Sequence, residues 1–203
     1  EKKMEKKPRR LLLLASNSPR RKELLAGLDI NYEVRVIPGI DESFPGSLPA
    51  NEVPQYVARK KSLPYLDHLA GDEVLLTADT VVIVGDTILG KPANEADACR
   101  MLRLLSGKTH HVVTGVCIRD RWQEKAFSVT TEVDFKPLSE EEIAHYVSRY
   151  RPLDKAGAYG IQEWIGYIGC RGLRGSYYNV MGLPVQRVYQ ELRDNPEWTS
   201  LLK

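Results

Sequence analysis

Four consecutive leucines, Leu11–Leu14, run through Ala15 straight into Ser16-Asn17-Ser18-Pro19-Arg20-Arg21. A run so uniformly apolar and so short suits a central strand buried on both faces, not an amphipathic helix. Ser18 then offers an N-cap and Pro19 a first helical residue, which predicts a helix over residues 19–26 that stops at Gly27. A buried strand turning sharply into a helix points to an α/β domain with a mixed sheet. It also makes a place to hold phosphate, because unpaired N–H groups and the helix dipole favour an anion there. Ser16 and Ser18 add hydroxyl donors, and Arg20 or Arg21 can grip phosphate oxygens in pairs. Taken alone, the same residues also describe an ordinary capped helix with two solvated arginines. The loop lacks the Gly-x-x-x-x-Gly-Lys of a Walker motif.

The remaining chain alternates strand and helix signals. Weak alternation over residues 32–37 predicts a second strand, and the Gly-, Pro- and Ser-rich residues 39–50 a loop carrying Asp41 and Glu42. Asn51 reads as a cap for a helix with Val53, Val57 and Leu63 on its apolar face, interrupted at Pro64. A short apolar strand over 74–78 ends on Asp79, and residues 81–84 and 87–89 flank Gly85-Asp86 as a hairpin. Asn94 with Asp97 resembles a capping box opening a helix that ends near Gly107. Residues 112–119 and 125–135 predict two antiparallel strands, Ser139 with Glu142 a cleaner capping box for a helix to about Arg149, and residues 183–192 the last helix. The Gly-rich stretches between carry no clear element.

The 203 residues carry a net charge of only +2, which argues against a general electrostatic grip on nucleic acid or membrane. An RNA-binding module built on the basic Arg59-Lys60-Lys61 is therefore disfavoured. No run approaches the roughly 20 apolar residues of a membrane span, and the apolar run after the basic residues 1–10 is too short for a signal peptide. Three widely spaced cysteines, Cys99, Cys117 and Cys170, suit reduced thiols and a cytoplasmic setting. The expected layout is a basic N-terminal extension over 1–10, with Met4 a candidate start, and a single domain over 11–203.

Several residues carry candidate chemistry. Asp79, at the expected carboxyl end of a strand, sits where open α/β sheets place ligands and can hold a cation or accept a proton from water. Lys91, in Gly90-Lys91-Pro92, and Lys61 can neutralise phosphate oxygens. Gln162, in Gly157-Ala158-Tyr159-Gly160-Ile161-Gln162, offers a donor and an acceptor to a base edge. Each has an ordinary structural reading by itself. His110-His111 is weak as a metal site, because neighbours on a strand point to opposite faces.

Together, in this order, these pieces resemble the Maf family of nucleoside triphosphate pyrophosphatases. The matching motifs are Ala15 to Arg21, Asp41-Glu42, Ala58-Arg59-Lys60-Lys61, Ala78-Asp79-Thr80-Val81-Val82 and Gly90-Lys91-Pro92. They continue with Ser106-Gly107-Lys108-Thr109-His110, Thr114-Gly115-Val116, Ala156 to Gln162 and Asn179-Val180-Met181-Gly182-Leu183-Pro184. The resemblance implies an elongated mixed β-sheet with flanking helices, in two lobes around a deep cleft. It implies hydrolysis between the α- and β-phosphates of a nucleotide with Mg²⁺ or Mn²⁺, a house-cleaning role, and frequent homodimers. Asp79 matches the family's proton-accepting aspartate, Glu42 the acid associated with metal, and Lys61 and Lys91 its phosphate-facing lysines. Arg20, Thr80 and Gln162 match the specificity positions of the branch acting on dTTP and UTP, not the sister branch preferring 7-methylated GTP. Because the family is named for effects on septum formation, a non-catalytic nucleotide-binding regulator of cell division is the alternative. One departure bears on the base pocket: Glu163 follows Gln162 where the family usually has glycine, an expected disturbance of the backbone there.

Overall fold

The computed structural model describes residues 9–202. Of the basic N-terminal segment only Arg9 and Arg10 are among them, and Met4 lies outside. Arg10 is pinned to the fold by ion pairs to Asp120 (3.1 Å) and Glu197 (3.3 Å).

The leucine run forms β1 (Leu11–Leu14), and the helix after it is α1 (Pro19–Ala26), closed by Gly27 as the capping pattern predicts. The strands β2 (Tyr32–Val34) and β3 (Glu73–Val84) flank β1 in parallel. Antiparallel strands extend the sheet through β5 (Thr109–Arg119), β6 (Glu124–Phe135) and β7 (Cys170–Arg174), with the short β4 (Thr87–Leu89) paired to the far end of β3. The result is an open seven-stranded mixed sheet in the order β2-β1-β3-β5-β6-β7. Alternate leucines of β1 enter different cores, Leu12 and Leu14 one and Leu13 another, so this strand is buried on both faces.

Helices cover the sheet: α1, α2 (Val53–Ser62), α3 (Glu95–Leu105), α4 (Glu140–Tyr150), α5 (Trp164–Gly169), α6 (Tyr177–Met181) and α7 (Val185–Asp194). The apolar core divides accordingly. One cluster joins Leu12, Leu25, Leu76, Ile118, Val188 and Trp198 around α1 and α7, and the other joins Met101, Leu105, Phe135, Ile143, Tyr146 and Ile165 around α3, α4 and α5. The long strands β3, β5 and β6 contribute side chains to both of these clusters.

Several local expectations change. The two strands expected on either side of Asp79 are one continuous strand of 12 residues, so Asp79 sits mid-strand and not at a strand end. The reason is β5, which pairs with β3 in unbroken register from Leu75 to Ile83 and carries it past the end of β1. Asn51 caps nothing; it lies inside a 3₁₀ turn, Ala50–Glu52, that leads into α2. Leu63 is 53% exposed, because a second 3₁₀ turn begins there under Pro64 and rotates it away from the core. The second strand ends at Val34, short of residue 37. The Gly-rich middle region holds α5, β7 and α6, whose short lengths gave no readable period. The Ser139–Glu142 capping box is present as expected, whereas Asp97 bonds the Ala93 N–H instead of completing a box with Asn94.

One close approach positions the site. The start of α2 crosses β5 at Gly115, the register partner of Asp79, where a Cβ would lie 2.2 Å from the Gln55 nitrogen and 2.3 Å from the Pro54 oxygen. Thr77 Oγ1 donates to the Ala58 carbonyl at 2.7 Å and secures the same helix to β3. Gly115→Ala should destabilise the protein by about 3 kcal/mol or more, since backbone must move to admit the methyl group. Gly172→Ala, at a β7 position with open space around it, should stay within about 0.5 kcal/mol of wild type in urea unfolding.

Candidate active site

The register of β3 leaves a gap on one edge. Its partnership with β1 ends at Leu76 and that with β4 begins at Val82, so residues 77–81 have no strand neighbour on that side. A cleft opens over this gap. It holds two adjoining cavities of about 510 and 440 Å³, with Arg20, Arg21, Glu42, Lys61, Lys91 and Asp154 on the walls of both. Asp79, Thr80, Lys155 and Gln162 line the first, Ser16 and Asn17 the second, and Ser18 both. Ser16, Ser18, Arg20, Arg21, Glu42, Lys61, Asp79, Thr80, Lys91 and Gln162 therefore all reach one cleft.

The turn is tied to itself before any ligand arrives. Ser16 Oγ accepts from the Ser18 N–H (3.1 Å), and Ser18 Oγ accepts from the Arg21 N–H (3.3 Å) as the helix N-cap. Each hydroxyl keeps its proton free to donate. The two arginines are oriented by carbonyls at the end of α6: Arg20 Nε donates to Met181 O (3.3 Å) and Arg21 Nε to Gly182 O (2.8 Å). That explains the Asn179 to Pro184 motif, which could have been only a loop. Asn179, fully buried, donates through Nδ2 to Val112 O, Val129 O and Thr131 Oγ1 and staples α6 to the sheet. Arg21 also donates to Thr80 Oγ1 at 3.0 Å, and Thr80 shares a hydrogen bond with Thr114 at 2.9 Å.

The Asp79 carboxylate makes no hydrogen bond among the described residues, and its environment is set by burial and by charge. Burial is the strongest influence and raises its pKa to about 6; Lys61, Arg21 and Lys91 oppose the rise, while Glu42 adds to it. Lys61 donates to the Ala78 carbonyl at 2.8 Å and lies 3.5 Å from Glu42. Burial, then repulsion from Arg21, pulls the lysine pKa down. Arg21 is lowered for the same first reason. Lys91 is exposed and makes no ion pair among the described residues, so its ammonium is open to a ligand. Asp41, beside Glu42, is spent elsewhere: it binds Lys60 at 2.9 Å on the surface.

Among the described residues no three His, Cys, Asp or Glu side chains gather as a metal cage. Two acids suffice for a cation that keeps several waters and takes its other oxygens from substrate phosphates. Asp79, an unpartnered carboxylate facing the cleft, and Glu42, electrostatically coupled to it, fit that arrangement.

Sequence reasoning missed Asp154 and Lys155, and named Tyr159 only as part of the Gly157 to Gln162 segment. Asp154 receives Arg20 Nη1 at 3.2 Å across the cleft. Tyr159 reaches the cavity wall from a buried pair with His110 (2.5 Å). Neither neighbour could be foreseen from spacing, because more than a hundred residues separate Arg20 from Asp154. His110 is fully buried and His111 is not, as expected of adjacent strand residues. Glu163, the unusual side chain after Gln162, has φ −93° and needs no glycine. A side chain is therefore accommodated at this position without backbone strain.

The profile of the family described as Maf-like protein matches residues 11–195. The chain belongs to this family. A "dTTP/UTP pyrophosphatase" from Phocaeicola vulgatus is 57% identical over 90% of this chain and 94% of its own length. Proteins of the same name from Porphyromonas gingivalis and Bacteroides thetaiotaomicron are 56% and 52% identical, each over 90% of this chain. A solved nucleoside-triphosphatase / dITP/XTP pyrophosphatase from Mycobacterium abscessus aligns at 16% identity over 63% of this chain and 75% of that one, with a TM-score of 0.37. A likeness that loose adds nothing to the Maf-like match.

The raised Asp79 pKa has a sign that can be tested. Between about pH 4 and 6 the folded carboxyl keeps a proton that the unfolded chain has lost, so stability falls as pH rises through that window. Asp79→Asn removes the burdened charge. In metal-free protein it should raise the unfolding free energy by about 1–3 kcal/mol above pH 7 and by almost nothing below pH 4. Urea unfolding at the two pH values checks this, and an equal effect at both would contradict it.

Proposed function

We propose that this Maf-like chain hydrolyses dTTP and UTP, or pyrimidine triphosphates with a modified base, to the monophosphate and pyrophosphate. The observation that carries the reading is the half-buried Asp79 carboxylate on the wall of the first cavity, under the charge of Arg21, Lys61 and Lys91. With a pKa of about 6, Asp79 is mostly ionised at neutral pH yet basic enough to take a proton from water. The water oxygen attacks the α-phosphorus, its proton passes to Asp79, and the bond to the bridging oxygen breaks toward the β-phosphate. Arg20, Arg21, Lys61 and Lys91 then neutralise the phosphate oxygens and the departing pyrophosphate. Ser16 and Ser18 donate to the same oxygens from the turn. Mg²⁺ or Mn²⁺, when bound, neutralises further charge on the phosphates; Glu42 and Asp79 are the residues that would hold it.

Gln162 supports the base preference. Its Oε1 is buried and has no hydrogen-bond partner, which leaves an acceptor suited to the N3–H of uracil or thymine. Thr80 lines the same cavity. The names of the three relatives agree with this assignment. A regulator that only binds nucleotide has no use for a carboxylate strained in this way, so the non-catalytic alternative is not favoured. No helix among the described residues is long and apolar enough to cross a membrane. The three unpaired thiols suit the reducing cytoplasm, where we place the protein.

The test is incubation with Mg²⁺ and a panel of normal and modified triphosphates, with pyrophosphate and single phosphate measured separately. Pyrophosphate from dTTP and UTP, but not from dATP, GTP or 7-methyl-GTP, is the expected outcome; release of single phosphate would refute it. Asp79→Asn should lower kcat by about 10²–10⁴-fold while nucleotide still binds. Near wild-type turnover in that variant would remove Asp79 from the role of base.

A further inference from the structure

Lys155 sits on the wall of the first cavity and not the second. Its side chain is 12% exposed and lies between two carboxylates, Asp154 at 3.0 Å and Glu163 at 3.4 Å. Room for this arrangement comes from Gly160, where a Cβ would stand 2.6 Å from Glu163 Oε1 and 3.0 Å from Lys155 Cε. Glu163 also holds Gly160 from both sides. Its N–H donates to Gly160 O (3.0 Å), and its Oε1 accepts from the Tyr146 hydroxyl (2.9 Å), which in turn accepts from the Gly160 N–H (3.0 Å). Gln162, with its unpartnered buried oxygen, follows two residues after Gly160.

We infer that Lys155 reads the base, donating from its ammonium to a ring carbonyl of the bound pyrimidine, and that Glu163 is the positioning residue that keeps it there. The inference rests on the pyrimidine triphosphate activity proposed above and names a further specificity residue for it. Uracil and thymine present an N3–H donor flanked by two carbonyl acceptors. Gln162 Oε1 answers the donor. An ammonium has three protons, and the two carboxylates leave one for a neighbouring carbonyl. Cytosine replaces one of those carbonyls with an amine, which would meet the cation with its own donors and leave both unpaired. A phosphate role fits less well: Ser16 and Asn17 of the turn line only the other cavity, Gln162 lines only this one, and Asp154 pairs with both Lys155 and Arg20 and so stands between them. Glu163 departs from the glycine that the resemblance leads one to expect after Gln162, so the clasp is built from a residue that the resemblance left unexplained.

The experiment compares Lys155→Met, Lys155→Arg, Glu163→Gln and wild type, measuring kcat and KM for UTP and CTP. Inhibition by tripolyphosphate, which has no base, and thermal midpoints are measured alongside. Lys155→Met should raise KM for UTP about tenfold, hold kcat within about twofold and cut the preference for UTP over CTP about tenfold. Tripolyphosphate inhibition should not change. Lys155→Arg, which keeps a donor, should recover part of the preference. Glu163→Gln keeps an acceptor for Tyr146 but not the charge facing Lys155, so it should shift KM in the same direction with its fold intact. It decides the matter even if Lys155→Met fails to fold. If tripolyphosphate weakens in step with UTP, Lys155 serves the phosphates and the inference is overturned. If KM and preference hold in Lys155→Met and Glu163→Gln, it is overturned as well, with the activity still standing. A wild type that cleaves no pyrimidine triphosphate would instead sink the activity, and this assignment with it.

Discussion

The bare Cα of Gly115 lets α2 lie directly on the sheet, and the cleft depends on that contact. The helix rests over β5 at the residue paired with Asp79, and Thr77 fastens Ala58 to β3 on the other side. Only a helix this close brings Lys61 to the Ala78 carbonyl, one residue from the carboxylate. The same proximity buries Asp79 and raises its pKa. Gly115 thus acts on the chemistry without touching it, by setting the height of a helix above a strand. A larger residue there would lift α2 and return water to the carboxylate.

Charge in the cleft is held in unfavourable balance. Arg20, Arg21, Lys61 and Lys91 face Asp79, Glu42 and Asp154. Their mutual influence is visible in the lowered pKa values of Arg21 and Lys61, both of which lose more to burial than they recover from the acids. A polyanion relieves that condition because its oxygens replace water around the cations. Several cations are also preoriented by neutral carbonyls, from Ala78, Met181 and Gly182, which fix direction without cancelling charge. The carboxylates that pair with Lys61 and Arg20, Glu42 and Asp154, are both more than half exposed. Such pairs are weak in water and readily exchanged for phosphate.

Much of the fold was legible wherever a local rule operated without competition. The span of α1, with Ser18 before it and Gly27 after it, follows from capping alone. The α4 capping box is equally local. Reading failed where a partner distant in sequence decided the outcome. Nothing in residues 74–84 announces that β5 will carry one strand through Asp79, because pairing across the sheet is a long-range fact. Leu63 looked apolar and helical, but the turn at Pro64 directs it outward. The elements α5, α6 and β7 are five or six residues each, too short to show a period.

The same division runs through the site. By its residue types and their order, the sequence determined which groups are present: two arginines behind a phosphate-friendly turn, acids at Glu42 and Asp79, lysines at 61 and 91, and Gln162. These identities are chemical facts that do not await folding, and their order was enough to indicate the family. The tertiary structure decided how far each group is charged and where it points. Burial and neighbouring charge are sums over residues far apart in the chain, so only the fold could raise Asp79, orient Arg20 and Arg21 through Met181 and Gly182, bring Lys155 to the cavity wall and set Glu163 against it.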